Sequence, residues 1–440
     1  MMSGQTIENG ADNMNKHVIY QMALRSFTPE GTLKAAEKLL PHVASLGVDI
    51  VYLCPVFVAE NDEDQSTWSQ RQIASNTNNP KNPYKIADYF NVDEEYGTNE
   101  DLKSFVLTAH ENGLKVFFDL VYLHCGKNAV FIKDHPDFVE QDETGKPLVG
   151  DCWPFARLNF KNPNLRKYLI KNMEMFVKDY KVDGFRCDVG DSVPLDFWND
   201  AFSYLKTINP DLITLNEGIN PEYIKNTFDM GYDFSWASTT IKVFSGEAST
   251  TELKSLCKEK FAVYGENYKK CIKAIENHDI ASDQVLNRNE ITMTSKGVEA
   301  ALVLCYTMGG VPLIWNGSEF CDNLENCMFS NRFHGKRSQI NWSKAFTAEG
   351  KQRLQFIKEL NALYHDHDEF LNGKFEWIEN SAPDEVLAYK KGNITIIVNT
   401  KNKKVSDIDC CADNIYMQYG ASISDNKLNL EGYGYIIAKG

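Results

Sequence analysis

One rhythm in the chain constrains its fold more than any other feature. From Val18 onward, short apolar runs alternate with segments of helix length: HVIYQMA, TLKAAEKLLPHVASLG, VDIVYLCPV, EDLKSFVLTAHENG and LKVFFDLVY follow in turn. This is the pattern of parallel strands joined by crossover helices, because a parallel neighbour can be reached only by recrossing the sheet. The rhythm continues through VDGFRCDV, DLITLNE, KCIKAIEN and GGVPLIW. NLRKYLIKNMEMFVKDY, VPLDFWNDAFSYLK, STTELKSLCKEKFA and KGVEAALVLCYTMG are the helices between them. A weaker sixth strand near TFDMGYDF completes eight. Eight such units in roughly 350 residues predict an α/β fold, a (β/α)8 TIM barrel with insertions.

The barrel is expected over residues 17–124 and 163–367. Two stretches are too long and polar to be connectors, 60–82 after the second strand and 125–162 after the third. The second predicts a short inserted subdomain, and both follow strand C-terminal ends, where barrels build their binding sites. Residues 368–440 change character: FEWIEN, EVLAYKK, NITIIVNT, IYMQYG and GYGYIIAKG are short β-like runs between turn residues, which predict a C-terminal all-β domain of sandwich type. With no exposed aromatic pair standing out, that domain reads as structural support.

Residues 1–16, MMSGQTIENGADNMNK, read as a poorly ordered N-terminus without the apolar core of a signal peptide. No run of about 18 apolar residues offers a membrane span. The balance of 46 Lys plus Arg against 61 Asp plus Glu gives a net charge of -15, which repels nucleic acid and anionic lipid surfaces. Eleven cysteines with no CxxC pair suggest free thiols and a cytoplasmic setting. Oligomeric state is not legible.

The acidic residues fall in register with the expected strands. Asp119, Asp188, Glu217 and Asp279 all sit at strand C-terminal ends, with Asp188 and Glu217 29 residues apart and Glu217 and Asp279 62 apart. Those intervals are close to one and two βα units of about 30 residues each. The spacing brings four carboxyl groups around one rim, where mutual repulsion pushes their pKa values apart, so that one can donate a proton while another stays an anion. Arg186 and Asp188, at i and i+2 on one strand, share a face. Taken alone, that pair reads more often as a structural ion pair, and Tyr84 and His124 read equally as packing residues.

FDLVYLHC, DGFRCDVG, LNEG and ENHDIAS resemble, in order, the four signature regions of glycoside hydrolase family thirteen, the α-amylase family. GTLKAAEKLLPHVASLGVDIVYLCPV, NPYKIADYFNVDEEYGTNEDLKSF, GGVPLIWNGSE and INW are similar to its connecting segments, so the resemblance spans about Val18 to Trp342. It implies a retaining α-glycosidase acting on α-glucosidic bonds of starch-derived or related oligosaccharides, with no organic cofactor. By the resemblance, Asp188 is the nucleophile, Glu217 the general acid/base and Asp279 the transition-state stabiliser. Tyr84, His124, Arg186 and His278 complete the sugar subsite. A transglycosylase or phosphorylase would share the first step, and a catalytically silent carbohydrate-binding protein would share the fold.

Two departures from the family pattern bear on the substrate. The family's usual calcium-binding asparagine before the first-signature histidine is Leu123 here, so no metal is expected at that position. Asp191 and Ser192 replace the Lys-His that contacts the leaving sugar in typical members, so acceptor recognition differs. Among the loop aromatics, Trp68 is a candidate exposed platform. Trp315, Phe320, Phe329, Phe333, His334 and Trp342 read mostly as packing residues, and Arg332 and Arg337 as solvated or structural ones.

Overall fold

The computed structural model describes residues 16–150, 153–281, 288–335, 338–410 and 413–440. Of the expected disordered N-terminus, only Lys16 falls within the described residues, and Arg337 falls outside them.

All eight predicted barrel strands form. They are β1 (Ile19–Met22), β2 (Ile50–Leu53), β3 (Lys115–Leu120), β4 (Gly184–Cys187), β5 (Ile213–Asn216), β6 (Met230–Gly231), β7 (Ile272–Lys273) and β8 (Val311–Trp315). Every pairing is parallel, running β6-β5-β4-β3-β2-β1-β8-β7, and a parallel bridge between Gly231 and Cys271 closes the ring. The two-residue pleat divides each strand between two environments. Val51, Leu53, Val116, Phe118, Phe185 and Cys187 point outward into the core beneath the helices. Ile19, Ile50, Tyr52, Phe117, Leu215 and Leu313 point inward and fill the barrel interior. On β4 the inward register runs Gly184, Arg186, Asp188, from a position with no side chain to the charged rim.

The crossover helices largely follow their predicted segments. The predicted helix over residues 32–47 is instead two short ones, α1 (Leu33–Glu37) and α2 (Leu40–Ala44), with Pro41 in the first turn of the second. Proline has no N–H to donate inside a continuous helix and is tolerated in a first turn, so the chain restarts there. Next come α3 (Asn99–Glu111), α4 (Pro163–Met175) and α5 (Leu195–Lys206), and α4 ends in a π-turn over Phe176–Tyr180. α6 (Phe234–Ser245) carries no clear sequence signal, because FSWASTTIKVFS is rich in β-branched residues of modest helix propensity. It is started by the Asp233 side chain, which accepts from the Trp236 N–H. α7 (Thr250–Tyr264), α8 (Thr294–Thr307) and α9 (Ala348–Asp366) complete the ring, and α8 is buried along nearly its whole length.

The two excursions differ in build. Residues 57–61 and 81–92 pair as an antiparallel ribbon, with a short helix Gln70–Ala74 between them. Among the described residues of 125–162 there is little regular structure, chiefly the pairing of His124–Cys125 with Ala156–Arg157. The C-terminal domain is all-β as expected, with β9 (Phe375–Trp377), β10 (Val386–Lys391), β11 (Ile394–Asn399), β12 (Val405–Asp409), β13 (Asp413–Ser424) and β14 (Lys427–Lys439). It differs from a sandwich of two separate sheets, because all six strands share one antiparallel network. The long β14 pairs with β13, β11 and β12, which carries the sheet around its own core of Val386, Ile397, Ile408, Leu428 and Ile436. The opposite face, with Leu387, Tyr389, Ile396, Val398 and Ile437, merges with the core outside the barrel.

Gly184 makes the β3–β4–β5 junction possible, since a Cβ there would lie 2.3 Å from the Ile213 carbonyl oxygen and 2.4 Å from the Phe117 ring. Gly184→Ala is expected to lower stability by about 1–3 kcal/mol through overpacking, measured by urea unfolding. An unchanged midpoint would contradict this packing.

Candidate active site

The barrel interior becomes polar toward the C-terminal ends of its strands, and Arg186 is the centre of that layer. Its side chain is fully buried. Nη1 donates to both carboxylate oxygens of Asp119, at 2.7 and 2.9 Å, and to Oδ1 of Asp188 at 2.8 Å. Nη2 stands 2.6 Å from Oε1 of Glu217, an ion pair outside hydrogen-bond alignment. The i, i+2 reading of Arg186 and Asp188 therefore holds, and the same guanidinium spans β3, β4 and the end of β5. Tyr52 and Tyr84 donate to Oδ2 of Asp119 at 2.7 and 3.2 Å. Burial pushes both phenols well above their ordinary range, so they remain donors.

Asp188 and Glu217 each lie one residue past a strand end. Val189, at φ 43°, adopts the left-handed conformation that a β-branched residue rarely takes, and its N–H donates to Oε2 of Glu217 at 2.8 Å. Burial pushes the Asp188 carboxyl well above the usual carboxylate range and raises Glu217 as well. Arg186 opposes both shifts, while Glu217 and Asp119 add to the rise at Asp188, and Asp279 and Asp119 to that at Glu217.

Asp279 behaves differently. Burial pushes its pKa up, but His278 and Arg71 more than offset that, and the carboxyl lies below its ordinary value. Arg71 donates to Oδ1 at 2.8 Å, and Nε2 of His278 lies 3.3 Å from Oδ2. Gln21 fixes the histidine. Its Oε1 accepts from the His278 backbone N–H at 3.1 Å, which turns Nε2 of the amide toward Nδ1 of the ring at 2.6 Å. Nδ1 is then the acceptor, and the ring proton on Nε2 faces Asp279.

The other predicted residues gather on the same cleft, which has a volume of about 870 Å³. Tyr84 stacks on His278, with centroids 5.6 Å apart. Tyr84 is anchored from the next position, where Lys85 is buried between Glu60 and Asp62 at 2.8 and 2.6 Å. His124 donates from Nε2 to the Tyr84 carbonyl at 3.0 Å, and burial pushes its pKa down to about 4, so the ring stays neutral. Trp153, 39 % exposed, and Phe155 flank it from the inserted segment. Phe234, Ser238, Ile241 and Lys242 present one face of α6 to the cleft that Glu217 also lines. Trp68 is corrected from platform to packing residue, because it is buried and its indole N–H is satisfied by the Asp62 carbonyl at 2.7 Å.

Residues 7–146 and 148–381 match the family model described as alpha amylase, catalytic domain. The chain belongs to the α-amylase family of glycoside hydrolases. It is 25 % identical over 395 residues to Alpha-amylase MalA of Haloarcula japonica, spanning 85 % of this chain and 53 % of that protein. It is 24 % identical over 391 residues to Alpha-amylase 2 of Dictyoglomus thermophilum, spanning 85 % and 65 %. It thus spans about half to two-thirds of the length of these curated relatives. Among solved structures, the maltogenic α-amylase AmyB of Thermotoga neapolitana superposes with TM-score 0.76 at 24 % identity, over 97 % of this chain and 99 % of that one. The α-amylase of Lactobacillus plantarum gives 0.78 at 22 %, over 96 % and 98 %. These likenesses are to the barrel and C-terminal sheet together.

Against the family pattern, Asp191 acts as a brace. Its Oδ2 accepts from the N–H groups of Ile219 and Asn220 at 2.7 and 2.8 Å, and its Oδ1 from the Asn216 side chain at 2.6 Å. It thereby ties down both flanks of Glu217, and Gly218 admits it, since a Cβ there would sit 2.2 Å from the carboxylate. Leu123 packs against the apolar core. Among the described residues one group could gather around a metal ion, Glu217, His278 and Asp279, with ligand atoms within 4.8 Å of one another. Arg186 and Arg71 already place two positive charges on those carboxylates, which disfavours a cation there. Among the described residues no helix is long and apolar enough to cross a membrane.

Arg186→Met removes the shared counter-charge and is expected to cost about 3–5 kcal/mol at pH 7. The deficit should shrink at lower pH as the stranded carboxyls take up protons, which urea unfolding at pH 7 and pH 5 would show. An equal deficit at both values would contradict the assignment.

Proposed function

We propose that this protein is a retaining α-glycosidase that hydrolyses α-glucosidic bonds in starch-derived or related oligosaccharides through a covalent glycosyl-Asp188 intermediate. The observation that carries the reading is the shared guanidinium, because neighbouring nitrogens of Arg186 hold Asp188 and Glu217. Two carboxyls bound to one planar group favour the close spacing of about 5 Å used for nucleophilic attack over the 6.5–9.5 Å that admits a water between them.

The raised pair holds a proton more readily than isolated carboxyls would. In this reading the aligned Arg186 hydrogen bond holds Asp188 as the anion against the upward push of its burial, and Glu217 carries the proton. Glu217 protonates the bridging oxygen as Asp188 attacks the anomeric carbon, and the leaving sugar departs with that proton. Glu217 then takes a proton from water, whose oxygen displaces Asp188 from the same carbon. Asp279, kept ionised, offers charge to the oxocarbenium-like transition state and oxygens to sugar hydroxyls. Tyr84 supplies the ring face. α6 lies beside Glu217, so Phe234, Ser238 and Lys242 offer the leaving sugar the ground that Lys-His occupies in typical members, while Asp191 holds the Glu217 loop.

Purified protein should release reducing sugar from maltooligosaccharides without added phosphate or acceptor. Strict dependence on either would replace hydrolysis by phosphorolysis or transglycosylation, and binding without cleavage would make this a silent carbohydrate-binding protein. Asp188→Asn and Glu217→Gln should each lower kcat at least about 10³-fold on a maltooligosaccharide with thermal unfolding little changed, and near-normal turnover in either would overturn the roles. Arg71→Ala removes a group that lowers the Asp279 pKa, so the acid limb of the kcat/KM profile should move to higher pH. A shift to lower pH would contradict the pairing.

A further inference from the structure

A second cleft, of about 790 Å³, lies at the other end of the barrel. One wall is the face of α7 that carries Lys254, Lys258 and Phe261, and the C-terminal domain supplies the other through Phe375, Trp377 and Lys391. Lys269 and Gly309 also line it, and they precede β7 and β8. The cleft therefore opens at the N-terminal ends of those strands, whereas the carboxylates lie past the C-terminal ends.

Its charge runs against that of the molecule. In a chain of net charge -15, the described residues of the lining include five lysines and a single acid, Glu266. Lys374 is ion-paired with Glu376. The neighbouring Lys260 and Lys273 both reach Asp233, but among the described residues no carboxylate comes within 4.0 Å of Lys254, Lys258, Lys269 or Lys391. Lys269 donates to the Asn372 side chain at 2.9 Å, and Lys254 stands over the Trp377 ring at 5.7 Å. Lys391 is only 4 % exposed, and its ammonium is bound to the Leu371 carbonyl at a long 3.4 Å. Burial pushes its pKa down to about 8 against the pull of Glu266. A buried ammonium without a counter-ion is costly, and an arriving anion removes that cost. Lysines suit phosphate as compact point charges, and the half-buried Phe375 and Trp377 offer ring faces beside them. The volume is that of a small-molecule site.

We propose that this cleft binds a phosphate ester carrying a ring, a sugar phosphate or a nucleotide, at a site separate from the carbohydrate cleft. Calorimetric titration of the full chain with glucose 6-phosphate, with ATP and with neutral maltotriose tests this. Saturable binding of either phosphate ester is expected, retained in Asp188→Asn, weakened as salt rises and weakened at least about tenfold by Lys258→Glu. The tighter of the two esters identifies the source. Lys254→Glu, on the same helix face, should weaken binding too. The proposal is overturned if neither ester binds at millimolar concentration, if both charge-reversed variants bind at full strength, or if maltotriose displaces the ester.

Discussion

Asp119, Asp188 and Glu217 converge on one buried guanidinium at the top of a barrel whose lower interior is apolar. Without Arg186 the three would crowd together in a low-dielectric site and could stay together only by taking up protons. With it, Asp119 also accepts from Tyr52 and Tyr84, while Asp188 and Glu217 reach past the strand ends into the cleft. The rest of the structure serves that arrangement. Gly184 lets the strands close around it, the left-handed turn at Val189 aims an N–H at Glu217, and Asp191 fastens the loop on its far side.

Much of this was legible in the sequence because it depends on local period. Alternating strand and helix segments marked all eight strands, and strand-end spacing brought the acidic residues to one rim. Tyr84, His124, Arg186 and His278 all reach the cleft or its supporting layer. Contacts between distant segments were harder to see. Arg71 lies on a five-residue helix inside what read as a polar loop, and nothing near position 71 signals that it reaches Asp279. Gln21 orients His278 across 257 residues of chain. Asp191 could be recognised as a departure, but its task as a brace depends on where the β5 loop lies. Trp68 looked exposed because its neighbours are polar, yet their carbonyl satisfies its indole in a buried position.

The two ends of the barrel are built on opposite charge logic. At the C-terminal end, Arg186 and Arg71 temper a surplus of carboxylates. At the N-terminal end, the C-terminal sheet docks beside α7 and, among the described residues, leaves four lysines without a carboxylate within 4.0 Å. The curled sheet thus has two roles: its apolar face completes the core around α8, and its first two strands form one wall of the basic cleft.

We propose that Arg186 holds Asp188 and Glu217 at the spacing of a double-displacement site. The most direct measurement is the anomeric configuration of the newly formed reducing end when a maltooligosaccharide is cut, followed by proton NMR before mutarotation. The α-anomer, the configuration of the bond that was cut, is expected. Initial release of the β-anomer would mean a single inverting displacement by water and would contradict it.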